Sequence, residues 1–254
     1  MELFLYGKTY MILTYGISEK GLVRKANEDA IGMKVEGLYL LADGMGGYDG
    51  GQVASTLAVE SGQRYFASLP KEEAFSEEGL KAALFAANRA ILSEKRDSPS
   101  LRSMGTTMVG AAIAEGHLYW AHVGDSRLYR YEEGTLTQVT TDHSYVMELV
   151  TEGKLTKEEM RSHPRKNEIT RAVGIDETLQ VDTGSFTLSD GTLILICSDG
   201  VSGMVEDEDL ARLISENPRK TEDDLKALGQ GIMEKVYEAG ARDNASLILI
   251  QIWN

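Results

Sequence analysis

The stretch Leu40-Leu-Ala-Asp43-Gly44-Met-Gly46-Gly47 constrains this chain most, because an apolar run stops there at a carboxylate that glycines follow. An aspartate at the end of a buried strand is held by a rigid frame. The glycine after it lets the backbone turn and bring a carbonyl oxygen to the same point. Two hard oxygen ligands presented together suit a divalent cation. A dinucleotide fingerprint fits poorly: Asp49 occupies the third glycine position of G-x-G-x-x-G, and Asp43 sets negative charge where a pyrophosphate must sit. For this stretch alone an acidic turn after a strand is the plainer reading. The chain, however, repeats the device.

The order of elements narrows the fold class. Strands are expected over Met11–Ser18, from Glu28-Asp29 onward, and over Gly37–Ala42, with Asp43 at the end of the third and Gly21–Asn27 a basic, exposed connection. Three strands before any helix argue against a βαβ start. Helical spacing follows at Val53 and Leu57, and again at Leu80, Ala83, Leu84, Ala87 and Ile91, with a loop from Pro70 to Ser76 between the two helices. Pro99 ends the second. From Gly105 to Thr140 short β-branched and aromatic runs are separated by Glu115-Gly116 and Glu133-Gly134, which suit tight antiparallel hairpins. Residues 144–177 are polar, short-helical and rich in charge, and read as an insertion lying over a surface, with composition alone fitting a solvated linker as well as a functional flap. Strands Val181–Phe186 and Thr192–Cys197, helices Asp207–Ile214 and Leu225–Val236 and a final strand Ala245–Trp253 complete the chain, with no repeat or linker to mark a second domain.

A net charge of −14 repels nucleic acid and anionic membrane surfaces, so neither is an expected partner. No run approaches a membrane span and Met1–Tyr10 lacks the form of a signal peptide, so a cytoplasmic location is expected. Cys197, the single cysteine, follows Leu193-Ile-Leu-Ile196 and reads as core.

Further acids stand where strands begin or end: Glu28-Asp29, Asp125 in His122-Val-Gly-Asp-Ser-Arg127, Asp199 in Cys197-Ser-Asp-Gly200, and Asp243 before Asn244. Each alone is more often a turn-capping residue. Brought together, ionised carboxylates repel unless a cation neutralises them. The set is all oxygen, without clustered histidine or cysteine, which favours Mg²⁺ or Mn²⁺ over Zn²⁺. His117, His122, His143 and His163 are scattered and read as surface or hydrogen-bonded structural residues. No G-x-S-x-G supports a serine hydrolase.

Taken in order, Arg24-x-x-Asn27-Glu28-Asp29, Asp43-Gly-Met-Gly-Gly47, Ser103-x-Gly105-Thr106-Thr107, Gly124-Asp125-Ser126-Arg127, Leu136-Thr137-x-x-Thr140 with Asp142-His143-Ser144, Ser198-Asp199-Gly200 and Asp243-Asn244 resemble the metal-dependent protein phosphatase family (PPM, type 2C). The likeness runs from about Thr14 to Ile252 and is greatest to the compact bacterial branch. It implies one α+β domain over residues 1–254, a four-layer α-β-β-α sandwich in which helix pairs flank two mostly antiparallel sheets, with residues 144–177 as the flap. It also implies hydrolysis of phosphoserine and phosphothreonine in proteins, opposing eukaryotic-like kinases, by a monomer that uses two Mn²⁺ or Mg²⁺ ions.

Residue by residue, the resemblance implies that Asp43 bridges two ions, that the Gly44 carbonyl binds the second, and that Asp199 and Asp243 hold the first. Glu28 and Asp29 match an acidic pair that reaches the second ion directly or through water, and Asp125 with Asp199 matches a weaker third site. Arg24 matches the arginine that binds the substrate phosphate. Met45 stands where many eukaryotic members have a histidine acid, so a metal-bound water is expected to protonate the leaving group, and Gln52 replaces a common glutamate. The mechanism implied is attack by a metal-activated water, without a phosphoenzyme. Two alternatives share these residues: a catalytically weak phosphoprotein-binding regulator, and a hydrolase of small phosphate esters.

Overall fold

The computed structural model describes residues 2–5, 8–47 and 49–253, with side chains from Tyr10 onward. In chain order the strands are β1 (Glu2–Leu5), β2 (Lys8–Glu19), β3 (Asp29–Gly32), β4 (Leu38–Met45), β5 (Gly105–Thr106), β6 (Met108–Ala114), β7 (His117–Val123), β8 (Arg127–Glu132), β9 (Thr135–Gln138), β10 (Asp182–Thr187), β11 (Leu193–Cys197) and β12 (Ala245–Trp253). The helices are α1 (Gly50–Ser68), α2 (Lys71–Ala74), α3 (Glu77–Asp97), α4 (Tyr145–Thr151), α5 (Lys157–Met160), α6 (Asp199–Ser202), α7 (Asp207–Glu216) and α8 (Glu222–Glu238).

Two six-stranded antiparallel sheets result, one in the order β1-β2-β12-β11-β8-β9, the other β10-β7-β6-β4-β3 with β5 beside β4. Strand parity explains the layering, because successive side chains point to opposite faces. In β4, Leu38, Leu40 and Ala42 pack with α1 and α3, while Tyr39 and Leu41 face the other sheet. In β11 and β12, Leu195, Cys197, Leu247 and Leu249 meet α7 and α8, while Ile194, Ile196, Ile248 and Ile250 meet Leu41 and Val109 between the sheets. Strands apolar on both faces therefore build three cores from two sheets, each fully buried Leu or Ile contributing roughly 1.5–3 kcal/mol. This is the α-β-β-α sandwich that the family resemblance implied.

Local signals account for several element ends. Glu115 (φ 55°) with Gly116 (φ 71°), and Glu133 (φ 50°) with Gly134 (φ 80°), make the two-residue turns of the β6–β7 and β8–β9 hairpins. The Thr221–Asp224 capping box starts α8 three residues before the expected Leu225. Other details differ from the sequence reading. Asp43 is not the last residue of β4, which continues to Met45 because Gly44 and Met45 pair with Thr106 and Gly105. The expected first strand begins at Lys8 rather than Met11 and is preceded by β1 in a hairpin. The Pro70–Ser76 loop contains the one-turn helix α2, and Asp199 opens the one-turn helix α6.

Candidate metal centre

Antiparallel pairing brings distant termini to one rim. Asp29 at the start of β3 lies opposite Asp43 near the end of β4. Cys197, at the end of β11, lies between Leu247 near the start of β12 and Arg127 at the start of β8, which puts Asp243 and Asp125 in the adjoining loops and Asp199 at the start of α6. Asp43 shares the parity of Tyr39 and Leu41, so the site closes one edge of the layer between the sheets.

A cavity of about 460 Å³ opens there, lined by Glu28, Asp43, Asp125, Asp199 and Asp243, and by Arg24 as its only cation among the described residues. Gly44, Met45, Gly46, Gly47, Thr107 and, from the 144–177 segment, Asn167 and Ile169 complete its walls. Of the eight residues singled out from the sequence, seven meet at this cavity, and Asp29 stands behind it. Asp29 Oδ2 accepts hydrogen bonds from Ser198 (2.8 Å) and Ser246 (2.6 Å), while its Oδ1 is buried with no partner.

The backbone here is tightly determined. Asp43 donates its N–H to Thr107 Oγ1 (3.0 Å), and its carbonyl accepts from the Thr107 N–H and the Thr106 hydroxyl, each at 2.8 Å. Gly44 donates to the Glu28 carbonyl, and a Cβ on Gly44 would lie 2.0 Å from the Gly51 carbonyl oxygen, so no larger residue fits. Buried Asn244 accepts from the Glu28 N–H (2.9 Å) and donates to the carbonyls of Lys20 and Ala26, clamping the loop that carries Arg24. The Arg127 guanidinium grips both oxygens of Asp142 and bonds Tyr129, fixing the strand that follows Asp125. Thr106, Thr107, Asn244, Ser198 and Ser246 were not read as functional from the sequence. Only their presence in the ordered motifs marked some of them.

Electrostatics set the chemistry of this rim. Burial, then repulsion from Asp29 and Asp199, holds the Asp43 carboxyl well above the usual range. Asp125 is raised by burial and by Asp199, and Asp199 by burial and by Asp243, with a hydrogen bond from the Asp43 carboxyl opposing that shift. Asp29 is pushed up to about 6, chiefly by burial. Among the described residues no three acid or imidazole groups are already drawn around one point. The acids share a cavity, and their crowding is costly at neutral pH unless cations enter it. The unpartnered Asp29 oxygen, the all-carboxylate donor set and the glycine cradle fit hard divalent ions.

The histidines divide. His143 Nδ1 accepts from the Gly124 N–H (3.1 Å) and its Nε2 meets Asp182 (3.0 Å), while His117 and His163 make local bonds near the surface. His122 departs from the expectation of a surface or hydrogen-bonded residue. It is fully buried, its ring centroid 4.6 Å from that of His143 with the two rings tilted by 35°, and neither ring nitrogen makes a well-formed hydrogen bond.

The family model described as protein phosphatase 2C matches residues 23–236. The chain belongs to the protein phosphatase 2C family. This phosphatase is 33% identical over 242 residues to the serine/threonine phosphatase stp of Listeria welshimeri serovar 6b, an alignment covering 92% of this chain and 93% of that one. The crystal structure of the Mycobacterium tuberculosis serine/threonine phosphatase PstP/Ppp superposes on it with a TM-score of 0.86 at 31% identity, covering 96% of this chain and 99% of that one. A PstP catalytic domain in complex with 2 manganese ions gives a TM-score of 0.86 at 31% identity over 97% of this phosphatase and 100% of that chain.

Proposed function

We propose that the chain is a metal-dependent protein phosphatase that hydrolyses phosphoserine and phosphothreonine esters at the cavity between Arg24 and the carboxylate rim. The observation that carries this reading is the grouping of Glu28, Asp43, Asp125, Asp199 and Asp243 with Arg24 around one cavity. In this proposal Asp43, the Gly44 carbonyl, Asp199 and Asp243 hold two Mn²⁺ or Mg²⁺ ions, Glu28 and Asp29 support the second, and Asp125 with Asp199 forms a weaker third site. When bound, such ions supply Lewis acidity toward phosphoryl oxygens and make water acidic enough to attack near neutral pH.

The protein's own groups do the positioning. Arg24 presents a planar fork to two phosphoryl oxygens. Thr106 and Thr107 hold the Asp43 backbone, which fixes the point from which its carboxylate projects into the cavity. Met45 lines the cavity and has no proton to give, so it is not the acid for the leaving hydroxyl. Residues 144–177 act as the flap over the site.

We further propose a cytoplasmic monomer opposing a eukaryotic-like kinase, and we treat residues 1–254 as one catalytic unit. Among the described residues no helix is long and apolar enough to cross a membrane. Phosphate release from phosphothreonine peptides should stop with chelator and return with Mn²⁺. Activity on nucleotides or sugar phosphates in place of peptides would instead favour a small-ester hydrolase.

A further inference from the structure

The turn at residues 124–126 carries Asp125 from β7 in one sheet to β8 in the other. Strand pairing ends at Val123 on one side of it and begins again at Arg127 on the other, so contacts from elsewhere must fix its direction. Two adjacent residues, Asp142 and His143, supply them at both ends. Arg127, just past the turn, donates to both Asp142 oxygens (2.9 and 2.7 Å). Gly124, at its start, is bound twice by His143: its carbonyl accepts from the His143 N–H (2.8 Å), and its own N–H donates to His143 Nδ1 (3.1 Å). The peptide planes on either side of Gly124 are therefore both tied to His143, one through the backbone and one through the ring.

A backbone N–H can only donate, so Nδ1 presents its lone pair and the ring carries its proton on Nε2. That nitrogen meets Asp182 Oδ2 at 3.0 Å, while Asp182 Oδ1 accepts from Arg171 (3.0 Å). A carboxylate that holds one ring nitrogen determines which way the other faces. Here the other faces a peptide N–H one residue before a proposed metal ligand. His143 is buried, its carbonyl accepts from the Thr170 N–H, and its side chain does not line the catalytic cavity.

Resting on the third ion site proposed above, we propose that His143 is a positioning residue for Asp125. Its Nδ1 lone pair holds the Gly124 N–H and so sets the direction from which the Asp125 carboxylate meets the weakest ion. The ring touches neither ion nor substrate, and of its two nitrogens the one facing Gly124 governs that ion.

Asparagine and glutamine separate the two nitrogens, because the Asn Oδ1 stands near the place of Nδ1 and the Gln amide near that of Nε2. Bound Mn²⁺ is counted from the electron paramagnetic resonance signal of free Mn²⁺ in titrations of wild type, His143→Asn, His143→Gln, His143→Leu and Asp125→Ala. Asp125→Ala should lose the weakest ion. His143→Gln and His143→Leu should each raise its Kd about 10–100-fold while the tighter ions bind as before. His143→Asn should stay within about 3-fold of wild type, since its Oδ1 still accepts from Gly124. The ratio of weak to tight Kd is internal to each sample, so a smaller folded fraction cancels. Equal weakening by Asn and Gln, weakening of all ions together, or wild-type binding in both His143→Gln and His143→Leu overturns the assignment of His143. Wild-type titration by Asp125→Ala removes the third site and this inference with it. Hydrolysis of phosphothreonine peptides by the wild-type protein with Mn²⁺ judges the phosphatase reading separately.

Discussion

Arg24 and Asp243, 219 residues apart in the chain, form a 2.7 Å ion pair in the lining of the carboxylate cavity. The guanidinium proposed to hold phosphate thus lies against a carboxylate proposed to hold a cation. A unit positive charge so close to a cation site opposes metal binding even as it favours phosphate.

Arg24→Ala should therefore act in two directions. We expect kcat/KM for a phosphopeptide to fall about 10–100-fold, mainly through KM. The Mn²⁺ concentration giving half-maximal rate should fall several-fold. Steady-state kinetics across a Mn²⁺ titration measures both, and a raised Mn²⁺ requirement would contradict the second expectation.

Asp43→Asn should separate activity from stability. Loss of the charge proposed to hold the metal ions should lower kcat by on the order of 10² to 10⁴. The amide would also replace a crowded buried acid, so in chelator the variant should be more stable than wild type by roughly 1–2 kcal/mol. Added Mn²⁺ should stabilise the variant less than wild type. Thermal melts with chelator and with Mn²⁺ read this, and equal Mn²⁺ stabilisation of the two proteins would remove Asp43 from the ligand set.

His122 predicts an acid-sensitive fold. Burial first, and neighbouring His143 second, push its pKa down to about 3. The unfolded chain takes up that proton near 6.5 and the native protein does not, so His122 leaves stability intact above about pH 6.5 and erodes it as pH falls toward 3. The loss attributable to it at pH 5 is about 2 kcal/mol. In His122→Phe the decline between about pH 7 and 5 should be shallower by that amount in denaturant titrations, and an unchanged slope would mean the native ring is protonated.

Asn244→Ala should damage the substrate side of the site. It strands the Glu28 N–H and two loop carbonyls that Asn244 now pairs. The expected cost is about 2–4 kcal/mol of stability, with KM rising more than kcat falls as Arg24 loses its anchored loop. Stability in denaturant and steady-state kinetics measure the two effects. Asn244→Asp should not rescue the loss, since the donor N–H groups are gone and another acid would join the rim.

Much of the sandwich was legible in the chain because its signals are local. Turn pairs such as Glu115-Gly116 need only their own φ angles, the α3 stripe needs only its spacing, and Leu38 to Ala42 alternate between two buried faces within one strand. The extension of β4 to Met45 was not legible, because its partner Gly105-Thr106 lies far along the chain, beyond three helices. One-turn helices such as α2 and α6 carry too little periodicity to stand out from loop.

By itself, then, the sequence determined the periodicities, the turns, and which oxygen-bearing residues were available at strand ends. Tertiary structure alone decided that Asp29 lies opposite Asp43 and that Asp125, Asp199 and Asp243 open on the same cavity. It also buried His122 while leaving His117 outside, and set Arg24 against Asp243. The physical reason is range: φ, ψ and strand parity act over a few residues, whereas the pairing of strands far apart in the chain sets which charges meet and how much water remains between them.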